Sequence, residues 1–311
     1  MRTIWGGWLL LFFCLVLAAH AALIPPFFIN SVVAIGQNEP NPDGQPRWVT
    51  EGSGFFYGFL VEDDTDPSKR RYEVYLITNR HVVESKTAVN VRLNPKEPSD
   101  PGQVFRLPLL DERGNPSIFS HRDPNVDIAG ARINWQLLLD RGIDVSFMTS
   151  DTNSAVISKF RDIGVSAGDG IFVIGFPMNL AGPQRNYAIV RPGTIARVAD
   201  LIESASSILL IDSHVFPGNS GGPVILQPST FVIRGTKRNN QAYLIGVVNG
   251  FIPYVDVAIS RHTQRPRVTF EENSGLAEVI PVDRINEAIK TWRDSLPPSP
   301  QVPLKTSPET P

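Results

Sequence analysis

Apolar positions in this chain fall in short runs rather than in long periodic stretches. Residues 72–78, 89–93, 127–133, 171–174, 208–211 and 242–248 are rich in Val, Ile, Leu and aromatic side chains. Such side chains suit the pleated, half-buried surface of a strand. Between the runs stand clusters of Gly, Pro, Asn and Asp at 38–45, 62–69, 94–102 and 177–183, residue types that turn a chain. Helical spacing appears only near the C-terminus, where Ile285, Ile289, Trp292 and Leu296 share one face. Pro281 suits a first helical position and Asp283 a first turn, and Pro297 stops the pattern. The prediction is an all-β protein of sandwich or barrel type with a C-terminal α-helix over 281–296.

Residues 1–21 stand apart. Arg2 precedes an apolar run from Leu9 to Ala19, and Ala19-His20-Ala21 has the small-x-small form of a cleavage site. This reads as a secretory signal peptide, which places the mature protein in a periplasm or outside the cell; uncleaved, the segment would serve as a membrane anchor. No later run approaches spanning length, so no membrane span is expected after its removal. The lone cysteine, Cys14, lies inside this run, so the mature chain is expected to lack disulfides, a thiol nucleophile and thiolate metal sites. The other histidines, His81, His121, His214 and His262, form no short ligand pair, and neither a metal nor a cofactor is expected. A formal charge of −2 gives no electrostatic reason for a nucleic-acid partner. Residues 297–311, dominated by Pro, Ser and Thr, are expected to be a disordered tail, which leaves 22–296 as the folded domain.

Three segments carry chemistry. In Phe216-Pro217-Gly218-Asn219-Ser220-Gly221-Gly222-Pro223 a serine sits in a tight turn. A hydroxyl that attacks a carbonyl creates a negative oxygen, which needs preorganised donors. The amides of Gly218 and Ser220 aim at one point if the chain turns sharply between them. In Leu76-Ile77-Thr78-Asn79-Arg80-His81-Val82-Val83 an apolar strand runs into a histidine, the usual base for a serine near neutral pH. In Asn125-Val126-Asp127-Ile128-Ala129 an acidic residue opens an apolar stretch, and a buried carboxylate needs a partner such as an imidazole N–H. Asp123, in a polar turn, and Asp144, between Ile143 and Val145, compete for that role.

In the order His81, Asp127, Ser220, these segments resemble the chymotrypsin-like (trypsin-like) serine peptidases and differ from subtilisins and α/β-hydrolases. Thr78-Asn79-Arg80-His81, Gly218-Asn219-Ser220-Gly221-Gly222, Gly52-Ser53-Gly54-Phe55, Gly168-Asp169-Gly170 and Gly175-Phe176-Pro177 most resemble the bacterial HtrA-type branch. The likeness spans about residues 30–295. It implies two antiparallel six-stranded β-barrels, one over about 29–135 and one over about 163–280, with the active site in the crevice between them. The implied activity is serine endopeptidase cleavage of proteins or peptides through an acyl-enzyme. Ser220 is then the nucleophile, His81 the base and Asp127 its orienter, with Gly218 and Ser220 forming the oxyanion hole.

The resemblance also implies that Leu244-Ile245-Gly246-Val247-Val248-Asn249-Gly250 borders the primary specificity pocket. Asn249 and Phe251, flanking Gly250, would then pair with an extended substrate, and Phe251 would narrow the pocket mouth. His214 falls near the implied pocket floor and there suits an acidic substrate side chain; a loop histidine bonded to backbone is the plainer reading. Three departures matter. The residues after Ile280 are too few for the peptide-binding PDZ domain that HtrA-type enzymes usually carry, so none is expected. Asn219 lacks the charge that grips a newly cut N-terminus in digestive relatives. His214 is not the aspartate of trypsin-type pockets. A non-cleaving binding or scaffold protein on the same fold, and an esterase, are the competing functions.

Overall fold

A computed structural model describes residues 24–296, apart from 41, 45 and 230–232. The expected signal peptide and tail lie outside the described residues. The first unit is one sheet built from β1 (Val32–Pro40), β2 (Pro46–Glu62), β3 (Arg71–Thr78), β4 (Ala88–Leu93), β5 (Gln103–Pro108), β6 (Phe119–Ser120), β7 (Ala129–Arg132) and β8 (Met148–Thr149). Its order is β5-β4-β1-β2-β3-β7-β6, with β8 added parallel to β2. The second unit comprises β9 (Gly170–Gly175), β10 (Ile189–Arg197), β11 (Leu209–Asp212), β12 (Pro223–Leu226), β13 (Tyr243–Ile259) and β14 (Pro266–Pro281). These close into an antiparallel barrel in the order β10-β11-β14-β13-β12-β9.

The all-β architecture in two units with a C-terminal helix is therefore present, and the second unit is the expected six-stranded barrel. The first is an eight-stranded curled sheet whose outer strands β5 and β6 do not pair. The chain between them spends its residues on a polar turn. The Asp111 carboxylate accepts the amides of Arg113 and Asn115, both at 2.8 Å, and β6 is left with two residues. The strand expected from residue 127 begins at Ala129, because Val126 donates to the Asp123 carbonyl (3.1 Å) and Ile128 to that of Val126 (2.9 Å). These bonds hold Asp127 in a turn. In the other direction, β13 continues well past residue 248, held by its ladder to β14.

The largest core lies where the units meet. Phe55, Tyr57, Tyr75 and Ile77 of the first sheet pack with Ile174, Phe176, Leu244, Val247 and Ile280 of the second. The C-terminal helix (Val282–Ser295) covers this junction. Pro281 sits one residue before it, as the last residue of β14. The helix buries Val282, Ile285, Ala288 and Ile289, and Trp292 meets Tyr75 edge-on with ring centroids 5.9 Å apart. Tyr57 donates its hydroxyl to Asn286 of the helix at 2.8 Å, and burial holds that phenol well above its ordinary range. Truncation of fully buried Ile289 to Ala should cost about 2–5 kcal/mol in denaturant unfolding. Exposed Lys290→Ala should change stability by less than about 0.5 kcal/mol. Equal effects would mean that the helix is not part of the core.

Candidate active site

His81 belongs to a helical turn, Arg80–Val83, that follows β3 directly. Val82 and Val83 are buried and pin the turn, leaving the imidazole half-exposed. The residues before His81 reach across to the loop of Asp127. Asn79 donates its Nδ2 to the Asp127 carbonyl at 2.7 Å. The Arg80 guanidinium donates to the carbonyls of His121 (2.9 Å), Asp123 (3.2 Å), Pro124 (2.9 Å) and Val126 (3.0 Å). A planar fork of donors is the group suited to gather several carbonyls at once. The Asp127 side chain then meets His81 twice: Oδ1 accepts the His81 amide at 3.0 Å, and Oδ2 forms a short hydrogen bond with Nδ1. An ionised carboxylate only accepts, so Nδ1 carries the hydrogen, and in the neutral ring that leaves the lone pair on Nε2.

Burial pushes the Asp127 carboxyl up. The bonds from the His81 ring and amide, the charge of His81 and the Arg80 amide outweigh it and hold the group below the usual carboxylate value. With its folded pKa depressed, the stability that Asp127 contributes is complete above the unfolded value of about 3.9 and is lost as pH falls through the folded one. The carboxylate is thus ionised throughout the neutral range. Of the competitors, Asp123 accepts from the Asn125 amide (2.9 Å) and Asp144 from Asn30 Nδ2 (3.3 Å); neither meets His81.

Ser220 arrives from the second unit, on the turn before β12. Gly218 and Gly221 there have φ of 97° and 83°, values that favour residues without a Cβ. A Cβ at Gly221 would lie 2.1 Å from the Ser53 carbonyl oxygen and 2.4 Å from Thr78 Oγ1. The Ser220 turn therefore meets the end of β3 within three residues of His81. Within the turn, Asn219 donates to the Phe216 carbonyl (2.9 Å), Gly221 to that of Val248 (3.1 Å) and Gly222 to that of Asn219 (2.8 Å). The amides of Gly218 and Ser220 donate to no protein acceptor among the described residues. Those are the two amides that the motif singled out. No hydrogen bond joins Ser220 to His81; the Ser220 hydroxyl instead makes a 3.4 Å contact with the Asn249 carbonyl, too long to fix it.

The residues expected to set specificity divide. Asn249 lies beside Ser220, its carbonyl facing the Ser220 hydroxyl and its Nδ2 donating to Glu278 Oε2 at 3.1 Å. Gly250 and Phe251 continue along β13, with Phe251 exposed. His214 is exposed, stacks on Phe216 at 6.4 Å and borders Gly275; nothing in this geometry aims it at Ser220.

Three residues given no role from the sequence support the turn. Ser53 donates its amide to the Ser220 carbonyl (2.9 Å) and its hydroxyl to the Gly218 carbonyl (2.7 Å), and accepts the Phe176 amide (3.0 Å). Asn179 accepts the Thr50 amide at 2.7 Å while the neighbouring Met178 amide donates to the Pro217 carbonyl at 2.8 Å. Asn273 donates to the Val215 carbonyl at 2.7 Å. For Ser53 the signal was present in the quoted Gly-Ser-Gly-Phe segment; Asn179 and Asn273 carried none. Among the described residues no group of three His, Cys, Asp or Glu is placed to hold a metal ion, and no helix is long and apolar enough to cross a membrane.

No curated protein matches the chain. Solved structures that superpose on it include a variant of the HtrA-type protease AlgW with tripeptide (16% identity, TM-score 0.44, covering 86% of this chain and 61% of that one). They also include the MamO protease domain from Magnetospirillum magneticum (15%, 0.42, 84% and 96%) and the inactive form of Rv3671c protease (17%, 0.39, 85% and 89%). The chain thus spans about three fifths of the AlgW chain. The family model for the trypsin-like peptidase domain matches residues 52–232, more than half of the sequence, and the chain belongs to that family.

Proposed function

We propose that the protein is a serine endopeptidase using Ser220, His81 and Asp127, with the Gly218 and Ser220 amides as its oxyanion hole. The observation that supports this most is the pair of amides, on either side of Asn219, that meet no acceptor among the described residues, in a turn bonded to the sheet that carries His81 and Asp127. In this reading Ser220 Oγ attacks the peptide carbonyl carbon while His81 Nε2 takes its proton. The oxygen that becomes negative accepts from the two amides. Collapse of the tetrahedral intermediate breaks the C–N bond, and the leaving amine takes the proton from His81. Water then repeats the sequence on the acyl-enzyme and frees Ser220. The apolar run from Leu9 to Ala19 supports the further proposal that the enzyme works after export.

The contact of the Ser220 hydroxyl with Asn249 rather than His81 favours a second reading, a non-cleaving binder on the same fold. Casein digestion separates the two. Ser220→Ala should lower turnover by about 10⁴–10⁶ with the fold intact; equal rates for variant and parent would remove Ser220 from the mechanism.

Asp127→Asn should lower kcat by about 10⁴, because an amide also donates and favours the wrong imidazole tautomer. A fall below tenfold would mean that Asp127 does not orient His81. Ser53→Ala removes the hydroxyl shared by the Gly218 carbonyl and the Phe176 amide. It should lower kcat by about ten- to a hundredfold with KM nearly unchanged, since the hydroxyl shapes the turn without touching substrate. A change confined to KM would contradict that role.

A further inference from the structure

Strand β13 outruns its barrel. Its pairing with β12 ends at Val247, opposite Pro223, while its pairing with β14 continues to Ile259, opposite Pro266. Beyond the active site the two strands form an arm exposed on both faces, with Tyr254 60%, Val255 49%, Val268 51% and Phe270 52% accessible. A two-stranded ribbon is marginal by itself in water, and an unpaired apolar edge invites a third strand.

The edge of β13 that faces away from β14 is identifiable. The Ile252 carbonyl accepts the Ser274 hydroxyl of the partner strand at 2.5 Å, so Ile252 faces β14. The register shift between Phe251 (opposite Ala277) and Pro253 (opposite Asn273) puts its extra residues on β14, so β13 alternates through it, and Phe251, Pro253, Val255 and Val257 direct their backbone groups outward. Val257 agrees with this: its amide donates to the Asp256 carboxylate at 2.8 Å. The outward row therefore offers both groups of Phe251, the carbonyl of Pro253 and both groups of Val255, and ends where Asp256 takes the next amide. A proline with its nitrogen on the open side belongs on an edge strand.

We propose that this edge, from Pro253 to Val255, is a binding site for extended, unfolded polypeptide, the part of a substrate upstream of the scissile bond. The inference rests on the proteolytic reading of Ser220. The occupant follows from continuity: the same strand begins at Asn249, whose carbonyl touches the Ser220 hydroxyl. A chain pairing antiparallel from there runs outward along the arm, and every second residue meets the next outward group. Bonds to main chain set affinity for extended peptide whatever its sequence. Asp256 closes the row, so the arm takes a short stretch of strand and does not template an open-ended sheet.

The test uses the full chain carrying Ser220→Ala and fluorescein-labelled β-casein, followed by fluorescence anisotropy. Val255→Pro deletes the outward donor and leaves the β13–β14 ladder in place, which an unchanged melting temperature verifies; Val255→Ala trims the side chain and keeps the donor. Binding should weaken about three- to tenfold in Val255→Pro and clearly less in Val255→Ala. With Ser220 restored, trimming a casein-derived substrate from its N-terminus, back to three residues before the cut, should lower kcat/KM in the parent but not in Val255→Pro. Casein binding that is absent, indifferent to Val255→Pro, or weakened equally by Val255→Ala would overturn the proposal. So would a concentration-dependent dimer abolished by Val255→Pro, which would assign the edge to a second copy. Because binding is measured without turnover, a failure of casein cleavage counts against the proteolytic reading alone.

Discussion

The site depends on one seam, where Ser53 of the first sheet holds the Ser220 turn of the second unit. The Ser53 amide and hydroxyl fasten the carbonyls of Ser220 and Gly218, and its own carbonyl accepts the Thr78 hydroxyl at 2.7 Å. In the proposed mechanism base and nucleophile, His81 and Ser220, belong to different units, so contacts across the seam set their separation. Misplacement by about 1 Å is enough to cost about a hundredfold in rate. A side chain at Gly221 would wedge the two units apart, since a Cβ there would lie 2.1 Å from the Ser53 carbonyl oxygen.

Other links across the same boundary explain how an assembly without disulfides among its described residues stays registered. The shared core of Phe55, Tyr57, Ile174, Phe176 and Leu244 removes apolar surface of both units from water. At the far end of that boundary Arg92 donates to the carbonyls of Ala181, Gly182 and Arg185 and to Asn186 Oδ1. Burial pulls this guanidinium down to about 10, still charged at neutral pH. It binds a loop that begins at Phe176, the residue whose amide meets Ser53. Asn179, in a left-handed conformation, joins the same loop to β2. The turn is thus gripped from the sheet in front and from the loop behind.

What could be read from the sequence follows from the range of each interaction. The Ser220 turn depends on neighbours in the chain, since its glycines and proline shape it locally, and so it was legible. His81 and Asp127 were legible as a strand end and as an acid within an apolar stretch, and the choice among Asp123, Asp127 and Asp144 needed the fold. The partners of Ser53, Asn179 and Asn273 lie far away in sequence and leave no local pattern. The eight-strand count of the first sheet was hidden because β6 and β8 have two residues each. The arm was hidden because Gly250, Pro253 and Asp256 break the apolar run and both of its faces are wet.

The proposals for the arm and the seam put peptide recognition and chemistry on one strand and one turn, so the decisive quantity is the state of the two amides. The most direct measurement is a crystal structure of the protein after reaction with a fluorophosphonate. The account predicts a phosphorus bonded to Ser220 Oγ and its oxygen within roughly 2.7–3.1 Å of both the Gly218 and Ser220 nitrogens, with the His81–Asp127 pair intact. A folded protein that takes up no reagent, or an adduct whose oxygen points away from both amides, would contradict it.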